Sequence, residues 1–283
     1  MLLKDFLPHP SVNQFVRLYR IVHFRFDRSV TVPIKAYAPR AEHCLAFYPL
    51  DTEDAEFATS KIKRQRFRSS LAGQQTEVIN KQPGKDFLAL QIVFQPTGLF
   101  QLLGIPSYEL TNQYFDAELF FHSDIALVNE QLYHAENYDQ MLFILHQFVC
   151  DLIAKQKKTA HRIDSVGNYI LQHGTLASLN WLANEACLSS KQFERKFKER
   201  VGLNPKLFSR IVRFDKAFRL KNRQPELDWL TVAIECGYYD YQHLVKDYKE
   251  FTGSLPHAFH EIENKAPERK LGLSEAFYRY SIE

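Results

Sequence analysis

A chain of 283 residues with 45% hydrophobic and 24% charged side chains is long enough for two cores and too apolar to be a disordered polyelectrolyte. No apolar run approaches the width of a bilayer, and Met1 to Pro10 carries Lys4, Asp5 and two prolines where a secretory signal would be apolar, so residence in the cytosol is expected. Cys44, Cys150, Cys187 and Cys236 are scattered without a C-x-x-C pair, which argues for reduced thiols over a disulfide framework or cysteine-based zinc site, and a formal net charge of +3 says little by itself.

From about Ile21 to Phe94 the pattern is β-rich. "IVHFRFDRSVTV", "HCLAFYPL", "TEVINKQ" and "FLALQIVFQP" are aromatic and β-branched runs punctuated by Pro, Gly, Asp and Ser. A small antiparallel sandwich or barrel follows, with Phe24, Phe26, Tyr37, Phe47, Tyr48, Phe87 and Phe94 filling its interior, which an effector could share. His9, His23, His43, His122, His134 and His146 form neither H-x-H nor H-E-x-x-H, so no metal and no cofactor is expected. The basic cluster "KIKRQRFR", Lys61 to Arg68, reads as an exposed hairpin ahead of an auxiliary phosphate contact.

The period becomes helical from Asp124. Met141, Leu142, Leu145, Phe148, Val149 and Leu152 share one broad face, wide enough that a second copy of the chain could cover part of it. "KQKKTAH", Lys155 to His161, reads as a linker, and Ile163 to Ile262 as helices throughout.

Within that stretch the chain repeats itself. "FKERVGLNPKLF" (Phe197 to Phe208) and "YKEFTGSLPHAF" (Tyr248 to Phe259) share Lys, Glu, Gly, Pro and Phe in register at an offset of 51 residues. In the first copy Leu179, Leu182 and Ala183 are helically spaced, the chain breaks at "CLSS", and Phe193, Phe197 and Val201 resume four apart. Ser189 with Gln192 forms a capping-box signature, Gly202 stops the second helix, and Pro205 begins the next. The second copy reads Trp229, Val232, Ala233, a turn at "CGYYD", Asp240 as N-cap, Leu244 and Tyr248 inward, Gly253 as stop and Pro256 as restart. The alanines are 50 apart and the glycines 51, so one residue is added in or just after the second turn. A small residue before a tight turn, then a helix with a polar outer face, is the helix-turn-helix plan.

On "SLNWLANEACLSSKQFERKFKERVGLNPKLFSRIVRFDKAF" and "WLTVAIECGYYDYQHLVKDYKEFTGSLPHAF", this half resembles the DNA-binding domain of the AraC/XylS family of transcriptional regulators. The departures are Cys187, where a turn glycine is common, and Tyr238, where Phe is usual. "LALQIVFQPTGLFQLLGIPSYELTNQYFD" resembles, more loosely, a sensor domain that is often a cupin-like barrel. The resemblance implies an α+β chain of two domains: a β-rich sensor or dimerisation domain with trailing helices over 1–158, a double helix-turn-helix domain over 159–264, and an extension over 265–283. In the extension Leu273, Ala276, Phe277 and Tyr280 are placed to form a small docking helix.

Phe193 and Phe197 point inward, which leaves Ser190, Lys191, Glu194, Arg195 and Lys198 on the outer arc of the first recognition helix. Tyr241, Gln242, Val245 and Lys246 take that place in the second. Arg195 can fork to guanine, Glu194 accept from cytosine, Gln242 pair with adenine and Val245 meet a thymine methyl. The resemblance puts Arg195, Gln242 and Lys246 at contact positions of the family.

Lys191, Arg195, Lys196, Lys198, Arg200, Lys206, Arg210, Arg213, Lys216, Arg219, Lys221 and Arg223 face only Glu194, Glu199 and Asp215. In the second recognition helix Lys246 and Lys249 are offset by Asp240, Asp247 and Glu250, so the first unit is expected to supply most of the affinity. "PKLFSRIVRFDKAFRLKNR" reads as a five-turn connector able to hold two recognition helices about 34 Å apart, one turn of B-DNA. The expected function is a sequence-specific regulator, not an enzyme, with promoter DNA and RNA polymerase as partners, and a small-molecule effector and a homodimer as further ones. The alternatives are a barrel enzyme with a helical appendage, for which no nucleophile–base pair, phosphate loop or metal cluster is present, and a helix-turn-helix used only for protein contacts.

Overall fold

In a computed structural model, which describes residues 1–61, 63, 66–174 and 177–280, alternating residues in the first half build nine strands. They are β1 (Leu2–Phe6), β2 (Val16–Arg25), β3 (Lys35–Tyr37), β4 (Cys44–Phe47), β5 (Glu53–Phe57), β6 (Ser69–Ala72), β7 (Ile79–Pro83), β8 (Asp86–Phe94) and β9 (Tyr114–Asp116). A six-stranded sheet runs β1-β2-β8-β4-β6-β9, and a three-stranded sheet runs β3-β7-β5. Every named pairing is antiparallel. Among the described residues the pairing closes no barrel: the antiparallel character expected from the sequence holds, and a cupin-like closure does not follow from it.

The period of two sends the large sheet's side chains to two different layers. Ile21 opposite Leu90, and Leu45 opposite Ile92 and Leu71, face one way. With Phe47 and Phe94 they pack under α2 (Glu118–His134) and α3 (Tyr138–Ala154). Val22, Phe24, Ala46, Tyr48, Phe87 and Ala89 form a second cluster on the opposite face. The aromatics expected to fill one interior therefore divide between two. β1 escaped the sequence reading because its Asp5 is buried against Arg20 and interrupts the apolar pattern.

Before α2 come α1 (Gly98–Leu103) and a 3-10 turn, Ser107–Leu110. α2 itself starts six residues ahead of the expected Asp124 and breaks at His122, which has φ 47° and ψ −132°. On α3 the expected face is buried except for Leu142, which is half-buried. Of the basic cluster at 61–68, Ile62, Arg64 and Gln65 lie outside the described residues; Arg66 pairs with Asp54 and Arg68 with Glu130.

The helices of the second half are α4 (Arg162–His173), α5 (Leu179–Glu185), α6 (Ser190–Val201), α7 (Pro205–Arg223), α8 (Trp229–Glu235), α9 (Tyr241–Thr252), α10 (Pro256–Glu263), α11 (Pro267–Lys270) and α12 (Ser274–Tyr280). Their apolar faces share one core, into which the first half contributes Ala38, Ala41 and Val78. The halves are also tied by polar contacts. Ser107 Oγ donates to the Arg200 carbonyl at 2.9 Å, Thr111 Oγ1 to the Gly202 carbonyl at 3.2 Å, and the Arg200 guanidinium lies 4.7 Å from the Phe100 ring.

The tail docks back, by a different face from the one expected. Phe277 and Tyr278 are buried, and Leu273 is half-buried against the large sheet's second cluster, whereas Ala276 and Tyr280 are exposed. The Tyr278 hydroxyl donates to Glu263 at 3.1 Å, and buried Lys35 of β3 pairs with Glu263 at 3.0 Å and with Glu268. Such partners favour burial of the adjacent ring position, because a buried phenol gains when its O–H finds an acceptor.

Candidate nucleic-acid interface

Each half of the repeat is assembled by the same local devices. Ser178 caps α5, and Leu182 and Ala183 are buried at its close crossing with α6. The chain then turns through Cys187 at φ 54°, a conformation that disfavours a side chain. Ser189 closes a complete capping box with Gln192, and Phe193, Phe197 and Val201 turn fully inward. Gly202, at φ 98°, ends α6. In the second unit Asp228 caps α8, Val232 and Ala233 are buried, Gly237 turns at φ 79°, Asp240 caps α9, Leu244 and Tyr248 face inward, and Gly253 ends the helix at φ 69°.

The added residue can now be located. Leu188 N–H donates to the Ala183 carbonyl, and Tyr238 N–H to the Ala233 carbonyl, both at 2.9 Å, so the turns are still in step there. The N-caps Ser189 and Asp240 are not. Tyr239 is the insertion; it is 87% exposed, directly ahead of α9, with its ring 6.0 Å from His243. Its only signal in the sequence is the change of offset.

On α6, Lys191, Glu194, Arg195 and Lys198 are exposed. Arg195 makes no hydrogen bond or ion pair among the described residues, so its fork is uncommitted. Ser190 is half-buried and donates to Asn180 of α5 at 3.0 Å, which fits it to brace the turn. Lys198 sits on the flank toward the first half, 5.9 Å from the Tyr108 ring. On α9, Gln242 and Lys246 are exposed, while Val245 and Tyr241 are half-buried and Tyr241 leans on the core.

The charge reading needs revision, because much of the basic excess is consumed internally. Arg200 grips Asp164 of α4 at 2.8 Å with two nitrogens. Arg210 bridges Asp247 at 2.8 Å and Glu250 at 2.6 Å, and Arg213 reaches Asp247 at 3.2 Å while lying 4.1 Å from the Tyr238 ring. Arg219 pairs with Asp215 at 2.8 Å, and Lys221 donates to the carbonyls of Pro225 and Leu227. Lys191, Arg195, Lys206 and Lys216 remain exposed. Asp247, only 3% exposed, cannot offset Lys246 as the sequence suggested, because it is an interior clamp between α7 and α9. The hydrogen bonds from Arg210 hold the Glu250 carboxyl below its usual range.

The space expected for an effector inside the β-rich half is small: a cavity of about 70 Å³ between the sheets, lined by Arg20, Tyr37, Glu42, Tyr48, Lys81 and Tyr114 among others.

Residues 182–262 match the family model described as a helix-turn-helix domain. No curated protein matches the chain. Among solved structures it is similar to ToxT from Vibrio cholerae, at 10% identity and a TM-score of 0.48, over 86% of this chain and 98% of that one. It is also similar to the transcriptional regulator CdpR from Pseudomonas aeruginosa, at 15% identity and a TM-score of 0.31, over 62% and 46%. A third is the AraC-like transcriptional activator CuxR, at 14% identity and a TM-score of 0.24, over 74% and 84%. No helix among the described residues is long and apolar enough to cross a membrane. Two capped helix pairs, a connecting helix and the matched span make residues 182–262 of this chain a helix-turn-helix domain.

Proposed function

We propose that the chain is a sequence-specific DNA-binding regulator that sets α6 and α9 into successive major grooves of a promoter. The observation that carries this is the pairing of two equivalently capped helices whose outer faces hold uncommitted readers, Arg195 on one and Gln242 on the other. α7, with 19 residues, spans about 28 Å and supplies the stiff spacer. In this reading residues 159–264 bind DNA, 1–158 sense a signal or dimerise, and 265–283 brace the two. RNA polymerase is the further partner through which such a regulator would act.

Arg195 forks to a guanine, Gln242 reads adenine, Val245 meets a methyl, and Lys191, Lys198 and Lys246 serve phosphates or neighbouring bases. Tyr239 adds a hydroxyl within the second unit's approach to the backbone. α6 contributes more affinity than α9, since three exposed cations stand there against Glu194. Gel shift on promoter fragments at two salt concentrations tests the reading. Arg195→Ala is expected to lose about 1–3 kcal/mol and relax one base position, and Lys246→Ala to weaken all sequences alike and reduce the salt slope by about one. A Lys246→Ala loss exceeding that of Arg195→Ala overturns the division of labour, and binding without sequence preference overturns the function.

A further inference from the structure

The segment that joins the two halves runs beside α6, from its C-terminal turn back to the turn ahead of it. Near the C-terminal end of α6, Arg200 donates through Nη2 to the Thr159 carbonyl at 3.3 Å. One turn earlier Lys196 Nζ lies 3.5 Å from His161 Nε2, and ahead of the helix Cys187 Sγ accepts from Arg162 Nη1 at 2.7 Å. Residues 159–162 therefore follow one flank of α6 in reverse. The other end of the segment is fixed on the first half, where the backbone N–H groups of Lys157 and Lys158 donate to the Gln101 carbonyl of α1 at 3.1 and 3.0 Å.

This flank borders the outward arc of α6, since Lys196 follows Arg195 by one residue, about 100° around the helix. It is also basic. Lys157, Lys158 and Arg162 are exposed, Lys196 is half-buried, and none of the four has a carboxylate partner among the described residues. Their neighbours are spent: Arg200 on Asp164 at 2.8 Å, and Lys155 on Asp124 at 2.7 Å. Of the two carboxylates of α6, Glu194 turns to the opposite flank, and half-buried Glu199 stands alone on this side. Burial, then the nearby Lys196 and Arg200, push the His161 pKa down, which keeps its ring a neutral acceptor beside Lys196. A helix seated in a major groove has a phosphate strand along each side, and phosphates attract cations whatever the bases between them.

We propose that Lys157, Lys158, Arg162 and Lys196 form one strip that lies against the DNA phosphate strand bordering the groove that α6 enters. The inference rests on the DNA-binding reading above and adds a surface to it. The strip supplies affinity without base preference, and Arg195 supplies the preference. Because Lys157 and Lys158 are held on α1, the first half takes part in binding DNA through the joining segment.

The full chain is titrated by fluorescence anisotropy on a promoter fragment found by gel shift and on an unrelated duplex of equal length, across a series of salt concentrations. The double variant Lys157→Gln/Lys158→Gln is expected to weaken binding to both duplexes by the same factor. It is expected to reduce the slope of log K against log salt by about 1.8, and Arg162→Gln or Lys196→Gln by about 0.9 each. Lys157→Arg/Lys158→Arg keeps the charge and is expected to keep the slope. The control Lys4→Gln/Lys85→Gln removes the same charge from exposed positions of the β-rich half and is expected to leave the slope alone. An unchanged slope in Lys157→Gln/Lys158→Gln, an equal fall in the control, or a loss confined to the promoter duplex overturns the proposal. If Arg195→Ala relaxes base preference while the strip variants keep the wild-type slope, only this inference falls. A wild type that binds both duplexes alike, with the strip slopes reduced as expected, removes the sequence-specific function and leaves the strip, and binding to neither duplex removes both.

Discussion

His43 is fully buried, and neither of its ring nitrogens has a hydrogen-bond partner. Burial alone pushes its pKa down from 6.5 to about 4. Between those values the unfolded chain takes up a proton that the folded chain refuses, so stability is complete above pH 6.5 and falls as the pH falls toward 4. The loss attributable to this residue reaches about 3 kcal/mol at most. Denaturant titrations of wild type and His43→Leu across that window are expected to show a shallower acid loss in the variant; parallel profiles would refute the assignment. At this scale the sequence was legible only where a side chain has no partner. The outward placing of Arg195 followed from the inward Phe193 and Phe197, but Arg200, Arg210, Arg213, Arg219 and Lys221 looked equally available and are held by partners as distant in sequence as Asp164 and Asp247. A pairing between elements leaves no trace in the local pattern.

The two helix stops offer a controlled comparison at the scale of the element. Gly202 and Gly253 both adopt positive φ, where a side chain is disfavoured. A Cβ on Gly253 would meet nothing within 4 Å, but one on Gly202 would meet the Ser107 carbonyl at 3.0 Å and Thr111 Oγ1 at 3.1 Å. Gly253→Ala is therefore expected to cost about 1–2 kcal/mol from backbone strain alone. Gly202→Ala is expected to cost more, and to loosen the seat of α6 on the 3-10 turn of the first half. Urea melts of the two variants measure the difference; equal losses would mean that this seat contributes nothing. The caps and stops themselves were readable, since Ser189, Gln192, Asp240 and the glycines act through hydrogen bonds and dihedrals within a few residues. α2 was less so, because its break at His122 separates a first turn from the periodic stretch that announces the helix.

For the molecule as a whole, the tail joins the two halves. α12 packs on both β1 and α7, Arg20 of β2 lies 5.8 Å from the Phe277 ring, and Arg269 donates to Asn222 at the end of α7. Removing residues 265–283 would strip Lys35 of Glu268 and uncover the Phe277 and Tyr278 sites. The truncated chain is expected to melt at lower temperature and to be cut faster by protease at the segment 155–161, where residues lie between helices α3 and α4. Unchanged melting and cleavage would show that the tail is not a brace.

The division into a β-rich and a helical half, the repeat, its caps and the exposure of Arg195, Gln242 and Lys246 were determined by the sequence, because each depends on spacing within one or two helical turns. Sheet order, the division of aromatics between two faces and the spending of cations on interior carboxylates were decided by the tertiary structure alone. Those features depend on which distant residues meet, and burial and Coulomb interactions act across that meeting whatever the separation along the chain.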